Sequence, residues 1–294
     1  MTAVRTVPVV ATTRAALAAA RAGLAGPVVL VPTMGALHEG HRALLRRARQ
    51  AATPNGSVVV SVFVNPLQFG PGEDFGRYPR SLDADIAVCA EEGAAVVFAP
   101  DHAQMYPAVQ QVTVDPGPMG RVLEGKSRPG FFTGVLTVVL KLCQLVRPDA
   151  AVFGEKDAQQ IALVRQMTAD FALGVDIIPE PIVREPGGLA VSSRNGYLSA
   201  PERATALALS RALLAGREQA GAGQAGVLAA ARAVLDRAAA AEPPLLTDYL
   251  ALVDPATFEE IGDDYRGPAI LLVAGTAGST RLIDNMPLTI GSPR

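Results

Sequence analysis

Three observations predict that this 294-residue chain is an α/β protein, with a doubly wound parallel sheet followed by a smaller α+β region. Short β-branched runs alternate with helical patterns over the first 180 or so residues, a spacing that implies parallel strands joined by right-handed crossovers. One of these runs, residues 58–64, is apolar at every position but Ser61, continuous enough for a strand covered on both faces. Beyond about Ile182 the pattern changes to alanine-rich helices and then to strand-like runs. The expected division is residues 1–182 and residues 183–294.

In chain order, residues 28–31 read as a strand and 42–51 as a helix. Residues 58–64 give the second strand. Ser81 stands where an N-cap belongs, for a helix that runs to about Glu92 and stops at Gly93. A strand at 94–98, a helix through 136–145, a strand at 150–153, a helix at 158–171 and a strand at 175–178 complete the first part. Ser199-Ala200-Pro201-Glu202 is a capping-box pattern that opens an alanine-rich helix. Residues 221–226 read as a flexible break before a second helix, which Glu242-Pro243-Pro244 ends. Strand-like runs follow at 249–253, 269–273 and 280–283.

Composition excludes several functions. Lys and Arg number 26 against 28 Asp and Glu, so no basic field is available to grip nucleic acid, and any phosphate must be held by a local site. The two cysteines, Cys89 and Cys143, have no CxxC spacing and can form neither a disulfide framework nor a thiolate cage. The apolar run 134–146 is broken by Lys141 and Gln144 and is shorter than the roughly 20 residues that span a bilayer. Arg5, Arg14 and Arg21 interrupt the N-terminal alanine-rich stretch, which therefore lacks the h-region of a signal peptide. A cytoplasmic chain with reduced thiols is expected.

Parallel sheets bind ligands beyond the carboxyl ends of their strands, and four motifs follow strand ends or the domain boundary. PTMGALHEGH, residues 32–41, holds two of the three histidines, His38 and His41. Gly35 and Gly40 permit close backbone approach, and the helix start offers N–H groups and a positive dipole end to an anion. The i, i+3 spacing lets both imidazoles face one pocket. It differs from the i, i+4 spacing of a zincin HExxH site. FVNPLQFG, residues 63–70, turns at Asn65-Pro66 and leaves Gln68 near the mouth of the sheet; residues 70–80 could be a lid or simply a connection. FGEKDAQQ, residues 153–160, supplies Lys156 for phosphate, while Asp157 and Gln160 are also spaced to cap the following helix. VSSRNGYLS, residues 191–199, gathers Ser192, Ser193 and Arg194, a donor cluster able to clamp phosphate oxygens. The third histidine, His102, matches no motif and reads as a surface residue.

A fifth match, GRVLEGKS at 120–127, satisfies the Walker A pattern letter for letter. Pro129 disfavours a helical Arg128, so the match reads as accidental, with a P-loop NTPase using Lys126 as the lesser hypothesis.

Together the motifs carry a resemblance. PTMGALHEGH resembles the HIGH-type signature of class I nucleotidyltransferases, and VSSRN their KMSKS-type loop. With FVNPLQF, FGEKDAQQ, LEG and RPG around 123–130, and GVLTVVLKL at 134–142, the chain resembles the pantothenate synthetase family from Pro32 to Ser199. The resemblance implies a Rossmann-like sheet whose smaller C-terminal domain closes over the ATP site. It implies an ATP-dependent ligase that converts pantoate to pantoyl adenylate with release of pyrophosphate, then transfers the pantoyl group to β-alanine with release of AMP. It further implies that His38, His41, Lys156 and Arg194 act on the phosphates. The wider ATP set would be Met34, Gly35, Gly40, Gly154, Glu155, Asp157, Val183, Val191, Ser192 and Ser193. Gln68 and Gln160 would bind pantoate. Mg2+ would accompany ATP, with Asp85 as the protein-side candidate, and the chain would form a homodimer with no nucleic-acid or membrane partner. Three positions depart from the family pattern: Val191 for Met, Phe131 for His, and Ala84 where some members carry a second acid. A nucleotidyltransferase acting on another small acid, and a non-catalytic nucleotide binder, are the competing functions.

Overall fold

The computed structural model describes residues 7–291; Arg5 lies outside them. Two compact units are present. One comprises the chain up to Glu155 together with Leu163–Pro181, and the other Lys156–Ala162 together with the chain from Ile182 onward.

The first unit is built on strands β1 (Val9–Ala11), β2 (Val28–Thr33), β3 (Ser57–Val62), β4 (Val96–Phe98), β5 (Ala150–Gly154) and β6 (Asp176–Glu180). They lie in the order β1-β4-β3-β2-β5-β6, all pairs parallel. Strand order reverses between β2 and β5, and a doubly wound sheet opens its ligand crevice at such a switch point. Helices α1 (Arg14–Ala22), α2 (Glu39–Ala51), α3 (Leu82–Glu91), α4 (His102–Met105), α5 (Glu124–Ser127) and α6 (Phe131–Val146) belong to the same unit. Val29, Val31, Val58, Val60, Val97 and Val152 pack with Leu45 and Ala48 of α2 and Cys89 of α3. The intervening Val28, Leu30 and Val59 are buried too, as is Ser61, which is why these strands read as near-continuous apolar runs.

Three local readings change. Pattern reading does not find β1 and α1, because β1 is a three-residue edge strand with no periodicity to detect. Ser81 occupies the N-cap position of α3 but makes no capping hydrogen bond through its side chain. Helix α6 begins at Phe131, well before 136. A side chain at Gly134 would come within 2.2 Å of the Leu67 carbonyl, so this glycine lets α6 lie against the Pro66–Gln68 turn.

Helix α7 (Ala158–Asp170) follows the Glu155–Asp157 turn. The second unit carries α8 (Ala200–Glu218), α9 (Gly223–Ala239) and an antiparallel sheet of β7 (Leu245–Val253), β8 (Gly267–Ala277) and β9 (Thr280–Ile290), in that order. The expected capping box opens α8: Ser199 N–H donates to the Glu202 carboxylate at 2.8 Å and Glu202 N–H to Ser199 Oγ at 3.4 Å. The bonds its carboxylate accepts from Ser199 N–H and, also at 2.8 Å, from the Ser199 hydroxyl hold the Glu202 carboxyl below its ordinary pKa. The expected break at 221–226 is shorter, because α9 already starts at Gly223. Leu209, Leu213, Val227, Ala231, Leu245, Leu271 and Val273 form this unit's core. Among the described residues, no helix is long and apolar enough to cross a membrane.

Candidate active site

The loop after β2 is shaped by its own backbone. Gly35 takes φ +86°, and a Cβ there would meet Asp85 Oδ2 at 2.8 Å and Val62 Cγ1 at 3.0 Å, so only glycine fits. Gly35 N–H donates to Thr33 Oγ1 at 3.2 Å. The two oxygens of Asp85 accept from Ala36 N–H at 3.1 Å and Leu37 N–H at 2.7 Å. His38 N–H donates to His41 Nδ1 at 3.2 Å. The amides of residues 35–38 are thus engaged within the unit, and the helix start that the sequence offers to an anion begins one residue later, at Glu39.

What the loop presents instead is imidazole. Because Nδ1 of His41 accepts a backbone N–H, the neutral ring carries its proton on Nε2, where it is a donor. The His38 and His41 ring centroids lie 4.1 Å apart, so the i, i+3 pair shares one spot on the first turn of α2. Arginines nearby on this helix are occupied. Arg42 pairs with Glu91 at 2.7 Å and Glu92 at 3.0 Å, and Arg46 with Glu39 at 2.6 Å and Glu92 at 2.8 Å.

At the switch point, Gly154 ends β5 beside β2, with Leu44 of α2 3.8 Å from where its Cβ would stand. Glu180 pairs opposite Gly154 on β6. Burial raises its carboxyl pKa, Glu155 adds to the rise, and Arg47 opposes it. The sequence reading missed this acid.

Gln68 ends the Pro66–Gln68 turn, half-buried, with Nε2 3.1 Å from Met34 Sδ. These two predicted residues therefore meet. Segment 70–80 is tied to its neighbours: Arg128 binds Glu73 through two bonds of 2.8 and 2.6 Å and donates to the Gln68 carbonyl at 3.3 Å. Phe131, where the resemblance leads one to expect His, is 8% exposed and lies under the Arg128 guanidinium, 3.7 Å from ring centroid to Cζ, a cation–π contact that steadies Arg128. Lys126 and Ser127 end the short helix α5, whereas a P-loop lysine opens a helix; the Walker match is accidental.

In the second unit another group of predicted residues is gathered on β9. Asn285 Nδ2 donates to the Lys156 carbonyl at 3.0 Å. Its neighbour Asp284 receives Arg184 through two bonds of 2.7 and 3.0 Å. Val191 N–H donates to the Val183 carbonyl at 2.9 Å, so Val183 of the predicted ATP set and the start of VSSRN are adjacent. Ser192 Oγ accepts Arg194 N–H at 3.3 Å, which opens the Ser193–Tyr197 turn. Buried Asn195 fixes that turn by donating to Glu185 at 2.7 Å and to the Ala190 carbonyl at 3.0 Å. Arg203 reaches Glu185 and the Asn195 carbonyl. Gln160 is half-buried on α7. Sequence reading missed Asp284 and Asn285. The available signal was a polar pair inside an apolar strand.

Comparisons with known proteins agree on one family. The family model described as Pantoate-beta-alanine ligase matches residues 5–287. A pantothenate synthetase of Thermobifida fusca is 63% identical over 289 residues, covering 96% of each chain. One from Acidothermus cellulolyticus is 57% identical, covering 96% of this chain and 92% of that protein. The crystal structure of pantothenate synthetase from Thermus thermophilus superposes with a TM-score of 0.87 at 47% identity, covering 95% of this chain and 98% of that one. Pantoate-beta-alanine ligase from Francisella tularensis, crystallised with beta-gamma ATP and beta-alanine, superposes with a TM-score of 0.77 at 32% identity, covering 95% and 97%.

Proposed function

Because the chain belongs to the pantoate–beta-alanine ligase family, we propose that it condenses pantoate with β-alanine, consuming ATP, through a pantoyl adenylate, with the two residue groups above as its site. The pantoate carboxylate attacks the α-phosphorus of ATP and pyrophosphate leaves. The β-alanine amine then attacks the activated carbonyl and AMP leaves. The carboxylate is already a nucleophile at neutral pH, so no activating triad is required. The protein must position the reactants and offset charge on the phosphates.

The observation that carries the roles is the His38 N–H to His41 Nδ1 bond, which makes His41 Nε2–H a donor of fixed tautomer at the switch point. His41 donates to the reacting phosphate and His38 to its neighbour. Met34, Gly35 and Gly40 line the nucleotide. Gly154, Glu155 and Asp157 hold the ribose side, Val183 and Val191 the adenine, and Lys156 a phosphate. Ser192, Ser193 and Arg194 clamp the departing pyrophosphate. Gln68 and Gln160 hold pantoate.

The residues present do not fit a protein-held Mg2+. Asp85 is 2% exposed with both oxygens receiving backbone N–H groups. No group of three or more His, Cys, Asp or Glu side chains among the described residues could hold a metal ion. Mg2+ is therefore assigned to the phosphates of incoming ATP, as is common for this ion, and no step is derived through it. Closure of the C-terminal residues 183–294 over ATP, a homodimer and a cytoplasmic location complete the proposal. The buried thiols Cys89 and Cys143 suit a reducing compartment. Val109 and Val112, 81% and 78% exposed, offer apolar surface to a second copy, and sedimentation equilibrium reads the mass.

Pyrophosphate–ATP exchange with and without pantoate tests the reaction. Exchange should require pantoate. Exchange that ignores it refutes the substrate, and screening other small acids identifies the alternative.

A further inference from the structure

We infer that Tyr106 is a positioning residue for pantoate: its hydroxyl holds in place the Asn65 amide that turns the NH2 end of Gln68 toward the substrate. This rests on the reading of Gln68 as a pantoate-binding residue.

Asn65 is 1% exposed, and two backbone groups orient its amide without ambiguity. Its Oδ1 accepts Leu67 N–H at 3.3 Å, and its Nδ2 donates to the Gly134 carbonyl at 3.1 Å. A backbone N–H can only donate and a carbonyl only accept, so the oxygen and nitrogen cannot be exchanged. Tyr106 Oη lies 2.8 Å from the same Oδ1, so the hydroxyl must be the donor. Burial raises the phenol pKa and keeps that proton in place. The second Nδ2 hydrogen goes to Gln68 Oε1 at 3.1 Å. Gln68 must therefore turn its oxygen toward Asn65 and its NH2 away, and that NH2 sits 3.1 Å from Met34 Sδ.

Donation thus runs in one direction, from Tyr106 to Asn65 to Gln68 and outward. A thioether is a weak acceptor, so a hydroxyl or carboxylate oxygen of pantoate displaces Met34 at that NH2 with gain. Gln68 alone has no such polarity, because an unsupported amide turns over freely. The bond from Tyr106 is the shortest one to Asn65 Oδ1. The phenol ring is held in turn. Lys141 Nζ lies 4.3 Å from its centroid while donating to the Met105 carbonyl and Gln110 Oε1, both at 2.9 Å.

Tyr106→Phe keeps the ring against Lys141 and removes only the hydroxyl. In pantoate-dependent pyrophosphate exchange, its pantoate KM should rise about three- to tenfold, the range for one hydrogen bond. The ATP KM and the kcat at saturating pantoate should stay within about twofold. Gln68→Ala should raise the pantoate KM further, and adding Tyr106→Phe to Gln68→Ala should do nothing more, because the hydroxyl acts through that amide. Three results overturn the inference. A silent Tyr106→Phe beside an impaired Gln68→Ala removes the positioning role alone. Additive effects, or a lowered Tm and kcat with an unchanged pantoate KM, show a structural role only. A silent Gln68→Ala removes the reading of Gln68, and the inference falls with it.

Discussion

Replacing Asp85 by Asn tests whether this carboxylate anchors the nucleotide loop or a metal ion. Its oxygens separately accept Ala36 N–H at 3.1 Å and Leu37 N–H at 2.7 Å. Hydrogen bonds to a charged group contribute roughly 1.5–3 kcal/mol each. Asparagine keeps one oxygen, so one bond survives in weaker, neutral form, and the other N–H faces an NH2 group. The combined loss is roughly 2–4 kcal/mol. At roughly 2–4 °C per kcal/mol for a domain of this size, Tm should fall by roughly 5–15 °C. The same loop carries His38 and His41, so kcat/KM for ATP should drop by about tenfold or more. Calorimetry and steady-state kinetics read both. A Mg2+ titration supplies the discriminating arm, since an anchor leaves the half-saturating Mg2+ concentration unchanged. An unaltered Tm together with about a tenfold higher Mg2+ requirement would refute the anchor and restore Asp85 as a metal ligand.

Other outcomes follow from the same geometry. His41→Ala should cost about 3 kcal/mol of transition-state stabilisation, as other lost oxyanion donors do, while Lys126→Ala stays within about twofold in kcat/KM. The reverse ranking would favour the P-loop reading. Asp284→Ala leaves Arg184 without its carboxylate and should cost roughly 2–4 kcal/mol in urea denaturation. Hydrogen exchange should then quicken at 183–194, and uniform protection would show that β9 does not hold that segment. Burial pushes the Cys89 thiol up to about 12 and the Cys143 thiol up to about 11. Both stay protonated at pH 8, so iodoacetamide should label them only after denaturation. The stability tied to these raised values is full below the unfolded thiol pKa, near 8.5, and is lost as pH climbs toward the folded values. Native-state labelling at the rate of a free thiol would contradict their burial.

The fold was legible where the chain repeats a physical pattern. Runs such as 58–64, apolar but for Ser61, are nearly continuous because both faces of the sheet are covered, and Ser199 with Glu202 announces a helix start by chemistry alone. Where pattern gives out, so did the reading. β1 is too short to show a period, and α6 extends back to Phe131 because packing against the Pro66–Gln68 turn, through Gly134, decides its start.

The site was legible at the level of residue type and not of partnership. His38, His41 and Gln68 stood out by spacing and by strand-end position. Nothing in the sequence says that the loop amides answer to Asp85, some fifty positions away, or that Gln68 takes its orientation from Asn65 and Tyr106. Long-range partners have no local periodicity, and a buried polar residue carries no sign of which polar group it meets. A reader can still narrow the search, because burying a polar side chain is costly unless it is hydrogen-bonded. Asp284 and Asn285 inside the apolar strand β9, and Asn65 at a strand end, were therefore the positions most in need of partners. The structure supplies partners for Asn285 and Asn65 at Lys156 and Gln68, two residues of the proposed site, and for Asp284 at Arg184 beside Val183, so a polar residue in an apolar strand is a place to look for a positioning role.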